Sequence, residues 1–329
     1  MVILTTILIA ITLIVTSTNP ITFIRNNFRV DRSQAQVMGV SEENNAVQLA
    51  VTTAVIEPKT EAPSPAEKPA EPILKSVYQK APEVTASAAI VVDLTGGKIL
   101  FSKNIDAQSS IASITKLMTA LVALNNEPDF EREYVMQDTD RREGGRINLF
   151  LGDKVIVKDL FNASLVGSDN TATIALVHAL GFSEADFVVK MNEQANALGL
   201  KNTNFIDPIG LSSNNISTAN EVAKIAAAAF SQAEIRKTVT QSRYVLKTKQ
   251  GKTRVIESTD DLLGEKTVYK ILGGKTGYLG SAGFCFTGKF SQNEHEIISV
   301  VLGSSDVTAR FTDTDTLVNW TYDNYVWPQ

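Results

Sequence analysis

Residues Ile111–Ala120, IASITKLMTA, open a strongly apolar run. Apolar residues recur at Ile114, Leu117, Met118, Leu121 and Val122, the i, i+3, i+4, i+7, i+8 spacing of a helix with one buried face. Ser113 and Lys116 lie three residues apart on that helix, so the amine can reach the hydroxyl. Two readings of the pair compete. One is a helix cap followed by a solvated lysine. The other is a nucleophile beside its base, in the first turn, where unpaired N–H groups and the helix dipole favour developing negative charge.

A lone S-x-x-K carries little, because chance supplies such matches in a chain this long. Ser168-Asp169-Asn170 is an S-x-N, but Ser17, Ser212, Ser213 and Ser291 also head such triplets. Lys275-Thr276-Gly277 is the chain's only K-T-G, and it follows Gly273-Gly274. Read alone, GGKTG is a tight turn with a surface lysine. A phosphate loop is excluded: the Walker pattern needs a glycine at position 269, and Tyr269 stands there. Order changes the weight of all three. S-x-x-K, S-x-N and K-T-G follow one another with steps of 55 and 107 residues. Together they are the set used by serine enzymes that react with penicillins.

From about residue 85 to 324 the chain resembles the low-molecular-mass penicillin-binding proteins, the D-alanyl-D-alanine carboxypeptidase family of serine peptidases. The resemblance rests on ASITKLMTALVAL, SDNTATIAL, MNEQANALGLKNTNF, GGKTGYLGSAGFCFTG and VLGSSDVTARF. One departure is Asp169, where that family more often has glycine. The resemblance implies a β-lactamase/transpeptidase-like fold, a five-stranded antiparallel sheet flanked by helices with an all-helical region. It implies a peptidoglycan stem peptide ending in D-Ala-D-Ala as substrate, β-lactams as covalent inhibitors, and neither cofactor nor metal. It also implies roles. Ser113 is the nucleophile, Lys116 its base, Ser168 the proton donor to the leaving amine, and Asn170 a holder of the substrate amide. Lys275 aids binding, Thr276 and Arg310 grip the terminal carboxylate, and Gly277 completes the third motif. The backbone N–H groups of Ser113 and Tyr278 form the oxyanion hole. Lys116 can act only when neutral, far below the ordinary lysine range. Desolvation and a neighbouring charged Lys275 would each push it down.

Rival chemistries are weighed on the same residues. Class A β-lactamases share the three motifs but need a glutamate-bearing loop after the second, and GLKNTNFIDPIGLSS (199–213) has no glutamate. A D,D-endopeptidase of the same family, cutting cross-links, stays open as the alternative. It is mildly favoured because the sequence stops soon after its last helix, without the C-terminal module of many carboxypeptidases. A non-catalytic peptidoglycan-binding module conflicts with the complete set Ser113, Lys116, Ser168, Asn170 and Lys275. Two histidines, His178 and His295, and one cysteine, Cys285, argue against a His/Cys metal site. They argue equally against a Ser-His-Asp triad. Cys285 alternates with its neighbours like a strand residue and reads as core. The net charge of -5 with no basic block gives nucleic-acid binding no support.

Strand-like hairpins are expected at both ends of the domain: SAAIVVDL to KILFSKN around Gly96-Gly97, and GFCFTGKF to EIISVVLG through SQNEH. Helical stretches lie between, around DNTATIALVHAL, EADFVVKMNEQANALGL and STANEVAKIAAAAF, the last capped by Ser217. A final amphipathic helix, TDTLVNWTYDNY, follows. The expected class is α+β, one antiparallel sheet built from both ends.

Three parts are expected along the chain. Residues 1–24 contain the charge-free stretch Val2–Ile24, long enough to cross a hydrocarbon core, and read as an N-terminal membrane anchor or uncleaved signal. Residues 25–82 read as a polar, then Pro/Ala/Glu-rich spacer holding six of the ten prolines between Pro58 and Pro82. Residues 83–329 read as the peptidase domain. The expected location is the cell membrane with the domain extracytoplasmic. Arg25, Arg29 and Arg32, just after the apolar stretch, point to the opposite orientation under the positive-inside rule.

Overall fold

The computed structural model of the chain describes residues 71–76 and 80–328. The anchor expected at 1–24 and most of the spacer expected at 25–82 lie outside the described residues. Within the described part, the two expected hairpins meet in one sheet. Strands β1 (Ala88–Asp93) and β2 (Ile99–Lys103) come from its N-terminal end. Strands β3 (Lys270–Leu279), β4 (Gly283–Gln292) and β5 (His295–Ser304) come from its C-terminal end. The order is β3-β4-β5-β1-β2, antiparallel throughout, which leaves β3 as an edge. Only Asn293 and Glu294 separate β4 from β5, and both have positive φ, 50° and 67°. That is the twist a two-residue hairpin demands.

Six helices fill the interval between the hairpins: α1 (Thr115–Asn125), α2 (Val157–Val166), α3 (Asn170–Ala179), α4 (Glu184–Ala197), α5 (Ala219–Ser231) and α6 (Ala233–Val239). Helix α7 (Ala309–Asn324) returns across the sheet. Strand alternation divides the core between the two sheet faces. Ile90, Cys285 and Val300 face the helical region, while Val91, Phe286 and Val301 pack with Phe311, Leu317 and Val318 of α7. The sheet is thus the middle of three layers, as an α+β chain with two apolar sheet faces requires. Cys285 is core, as expected, and burial pushes its thiol up to about 11, so it is inert at neutral pH.

Four local expectations change. Helix α1 is buried on every side from Thr115 to Ala123, because α2, α3, α4 and α5 surround it. The cap of α5 is Thr218, whose hydroxyl accepts from the Glu221 N–H at 3.1 Å; Ser217 instead pairs with Thr203 at 2.7 Å. GGKTG is no turn: it lies inside β3, hydrogen-bonded along β4. Ile73–Leu74, within the expected spacer, pairs with Tyr325–Val326 beyond α7. Unforeseen elements include α2 and the hairpin Arg243–Lys247 with Thr253–Glu257. Among the described residues no single helix is long and apolar enough to cross a membrane.

Candidate active site

Ser113 sits in a single 3-10 turn, Ala112–Ile114, that runs straight into α1. Neither segment has a side-chain cap bond, so the capping reading of Ser113 fails. Strand β3 passes hard against this turn. A Cβ at Gly277 would lie 2.8 Å from the Ile111 carbonyl oxygen and 3.3 Å from both the Ala112 Cβ and the Ile114 nitrogen. Glycine is what lets the third motif approach the first.

Lys116 is no solvated lysine; its side chain is completely buried. Its Nζ lies 3.0 Å from Ser113 Oγ, 2.7 Å from Asn170 Oδ1 and 2.7 Å from the Ile209 carbonyl oxygen. Burial pushes its pKa down to about 7, against the smaller upward pull of Asp169 and Asp207. The cause is therefore burial more than the Lys275 charge expected from sequence. Asn170 is engaged at both ends: its Nδ2 donates to the carbonyls of Glu143 and Gly144, each at 3.1 Å. It aims Lys116 and ties down a loop, in addition to any hold on substrate.

Ser168 lies at φ +54°, a strained position for a residue with a side chain. Lys275 Nζ donates to Ser168 Oγ at 2.9 Å and to the Thr276 carbonyl at 2.9 Å. Lys275 is also buried, and burial, then Lys116, then Arg310 hold it well below the usual lysine range. Two ammonium groups sharing one dry cleft resist holding both protons. Thr276 Oγ1 donates to Thr259 Oγ1 at 2.6 Å. Behind β3, Asp260 is buried with Oδ2 unpartnered among the described residues, and burial raises its carboxyl to about 7.

These groups open on a cleft of about 470 Å³ whose lining includes Ser113, Ser168, Asn170, Thr276, Gly277 and Tyr278. Arg310, on α7, lines it too. Its guanidinium carbon stands 4.7 Å from the Phe311 ring centre and 5.8 Å from that of Phe284, and its buried Nε has no partner among the described residues. Tyr278 stacks on Phe284 at 4.4 Å. The fold thus brings together every residue singled out from the sequence: Ser113, Lys116, Ser168, Asn170, Lys275, Thr276, Gly277, Tyr278 and Arg310.

Sequence reading missed the supporting groups. Asp169 caps α3 through Ala172 and receives the backbone and side-chain N–H of Asn148. Asp207 gathers the N–H groups of Ile209, Leu211 and Ser212, which aims the Ile209 carbonyl at Lys116. The signal for Asp207 was the turn-rich string D-P-I-G. His178 is bound instead to Asp140, at 2.6 Å, and lies outside the cleft lining. No cluster that could hold a metal ion occurs among the described residues.

Residues 75–306 match the family described as D-alanyl-D-alanine carboxypeptidase. A D-alanyl-D-alanine endopeptidase of Pseudomonas aeruginosa is 30% identical over 241 residues, covering 72% of this chain and 77% of that protein. The carboxypeptidase DacF of Bacillus subtilis is 29% identical, covering 73% and 63%. The crystal structure of the Streptomyces K15 DD-transpeptidase superposes with a TM-score of 0.70 at 27% identity, covering 74% of this chain and all of that one.

Proposed function

From the chain's membership of the D-alanyl-D-alanine carboxypeptidase family, serine D,D-peptidases that act on peptidoglycan peptides and bind β-lactams, we propose that it removes the terminal D-alanine of stem peptides through an acyl-enzyme on Ser113. The observation that carries this reading is the surroundings of Lys116. A neutral amine has two hydrogens and one lone pair. Asn170 Oδ1 and the Ile209 carbonyl accept the two hydrogens, so the lone pair is left for the Ser113 hydroxyl. Burial makes the neutral form accessible near pH 7.

Ser113 Oγ then attacks the carbonyl carbon of the penultimate D-alanine while Lys116 takes its proton. The oxyanion is met by the N–H groups of Ser113 and Tyr278. As the C–N bond breaks, Ser168 hands a proton to the departing amine and recovers one from the Lys275 side. Water afterwards cleaves the ester and regenerates Ser113. Arg310, with no acidic partner for its guanidinium in the cleft lining, receives the leaving residue's carboxylate together with Thr276. The proton that Lys116 takes from Ser113 balances the one given up on the Lys275 side, so the two lysines together hold the same number of protons through acylation, and the negative charge of the bound carboxylate favours the ammonium form of Lys275.

The second reading, a D,D-endopeptidase, is supported by the relatives of Pseudomonas aeruginosa, Haemophilus influenzae and Escherichia coli, which carry that name. Product analysis on D-Ala-D-Ala peptides against cross-linked dimers separates the two. The shared chemistry is tested by stopped-flow acylation with a chromogenic penicillin between about pH 6 and 10. The rate should rise through about 7 and then level as Lys116 loses its proton. Lys116→Ala should abolish it at every pH. Lys275→Gln should move the midpoint by less than about one unit, since burial dominates. Near-normal acylation of Lys116→Ala would end the proposal.

A further inference from the structure

Lys116 is cut off from water, so its strength as a base depends on what stands behind its two acceptors. Asn170 Oδ1 and the Ile209 carbonyl take its hydrogens, each at 2.7 Å. Behind each acceptor lies a carboxyl group that the acyl-transfer steps do not use. Asp169 is the residue before Asn170. Its Oδ1 accepts from the Ala172 N–H at 2.9 Å, and its Oδ2 accepts from the backbone N–H and Nδ2 of Asn148 at 2.9 and 3.0 Å. These bonds fix the first turn of α3, where Asn170 is the opening residue. Asp207 does the same for the other acceptor. Its Oδ1 accepts from the N–H groups of Ile209, Gly210 and Leu211, and its Oδ2 from that of Ser212. Gly210, at φ +81°, closes this loop on the nucleophile turn: a Cβ there would lie 2.0 Å from the Ala112 carbonyl oxygen.

Among the described residues, every bond to these two side chains is received and none is given, the pattern of a carboxylate rather than an acid. Asp169 is completely buried. Burial pushes its carboxyl up, and Ala172, Asn148 and Lys116 pull it back. Helix α1 has no charged side chain besides Lys116. Three charged groups act on the amine from the elements around it: Asp169 at the head of α3, Asp207 in the loop before Gly210, and Lys275 on β3. Lys275 opposes a proton on Lys116. The two carboxylates favour one, Asp169 more than Asp207. Burial alone would leave the amine a still weaker base, and so a poorer acceptor for a hydroxyl proton.

Resting on the acyl-transfer reading above, we infer that Asp169 and Asp207 are positioning residues for Lys116: each fixes one acceptor of the amine and sets a negative charge behind it, and together they keep the base strong enough to take the Ser113 proton. Neither lines the cleft, so both act through Lys116 and not on substrate.

The second-order rate of acylation of the full-length chain by a chromogenic penicillin, followed between about pH 5 and 9, reads the free enzyme's base. Removing either charge leaves burial less opposed, so the neutral amine appears at lower pH. In Asp169→Asn and in Asp207→Asn the rise in rate should move down by about half a unit or more, and the plateau above it should fall severalfold. Asp169→Glu, which keeps the charge, should hold the wild-type midpoint even where its rate drops. A merely structural role would lower the rate and leave every midpoint in place. Tm measured alongside shows which variants fold, and Asp207→Asn decides the matter where Asp169→Asn does not. An unmoved midpoint in a folded Asn variant, with wild type acylating, refutes the inference and leaves the acyl-transfer reading standing. If wild type itself is not acylated, the acyl-transfer reading falls, and the inference with it.

Discussion

Single residues show how far environment outruns identity. Lys116 and Lys275 read alike in the sequence, and both are charge carriers by habit. In the fold each is buried beside a serine, and each is driven below its ordinary range by lost hydration. Spacing made Lys116 legible, because i and i+3 share a helix face. No spacing could reveal Asp260, whose importance comes from what lies over it. A Cβ at Gly274 would stand 2.1 Å from its Oδ2, so the carboxyl is pressed flat against the strand of the third motif. Its carboxyl is raised from 3.8 to about 7 by burial. The folded state therefore binds this proton more tightly than the unfolded chain. Its stabilising share is complete below 3.8 and is lost as pH rises to about 7. Asp260→Asn removes that dependence. The variant's Tm should gain on wild type steadily between these two values and hold its lead above them, with a ceiling of about 4 kcal/mol at about 1.4 kcal/mol per unit. A difference in Tm that is flat with pH would show that Asp260 is not the titrating group.

At the scale of elements, the informative contact is strand β3 against the Ser113 turn. Only the apolar helix that follows Ser113 was visible in the sequence; GGKTG read as a turn, and its place inside β3 shows only in its pairing with β4. Glycine in a strand is costly unless close approach requires it. Gly277 meets that condition, with the Ile111 carbonyl 2.8 Å from where a Cβ would stand. Gly277→Ala should push β3 away from Ser113, cost about 1–3 kcal/mol in stability and slow penicillin acylation by about tenfold or more. Acylation and Tm measured together decide the matter: a destabilised variant that acylates at the wild-type rate would mean that the close approach serves packing alone. The caps show the limits of reading such elements from sequence. Ser217 and Thr218 are equivalent as letters, and only the pairing of Ser217 with Thr203 assigns the cap to Thr218.

On the scale of the whole molecule, we propose that residues 1–24 anchor the chain in the membrane, that residues 25–82 span the distance to the wall, and that the domain from 83 onward works outside the cell. The charge-free Val2–Ile24 stretch and the proline-rich composition support this. Accordingly, the protein should sediment with membranes, and protease added to intact spheroplasts should digest the domain. Full protection of the domain in that assay would reverse the topology, in line with Arg25, Arg29 and Arg32. The sequence by itself determined which residues share the cleft: three short motifs in order picked out Ser113, Lys116, Ser168, Asn170 and Lys275, because reactive groups are few and their spacing is local. It also determined the α+β class, since strand and helix periods differ. Only the tertiary structure decided how those groups behave. Burial lowers Lys116, a carbonyl from Ile209 completes its hydrogen bonds, and the pairing of β3 along β4 carries Lys275 to Ser168. Solvent exclusion and long-range approach are properties of the packed chain, and no local stretch of sequence encodes them.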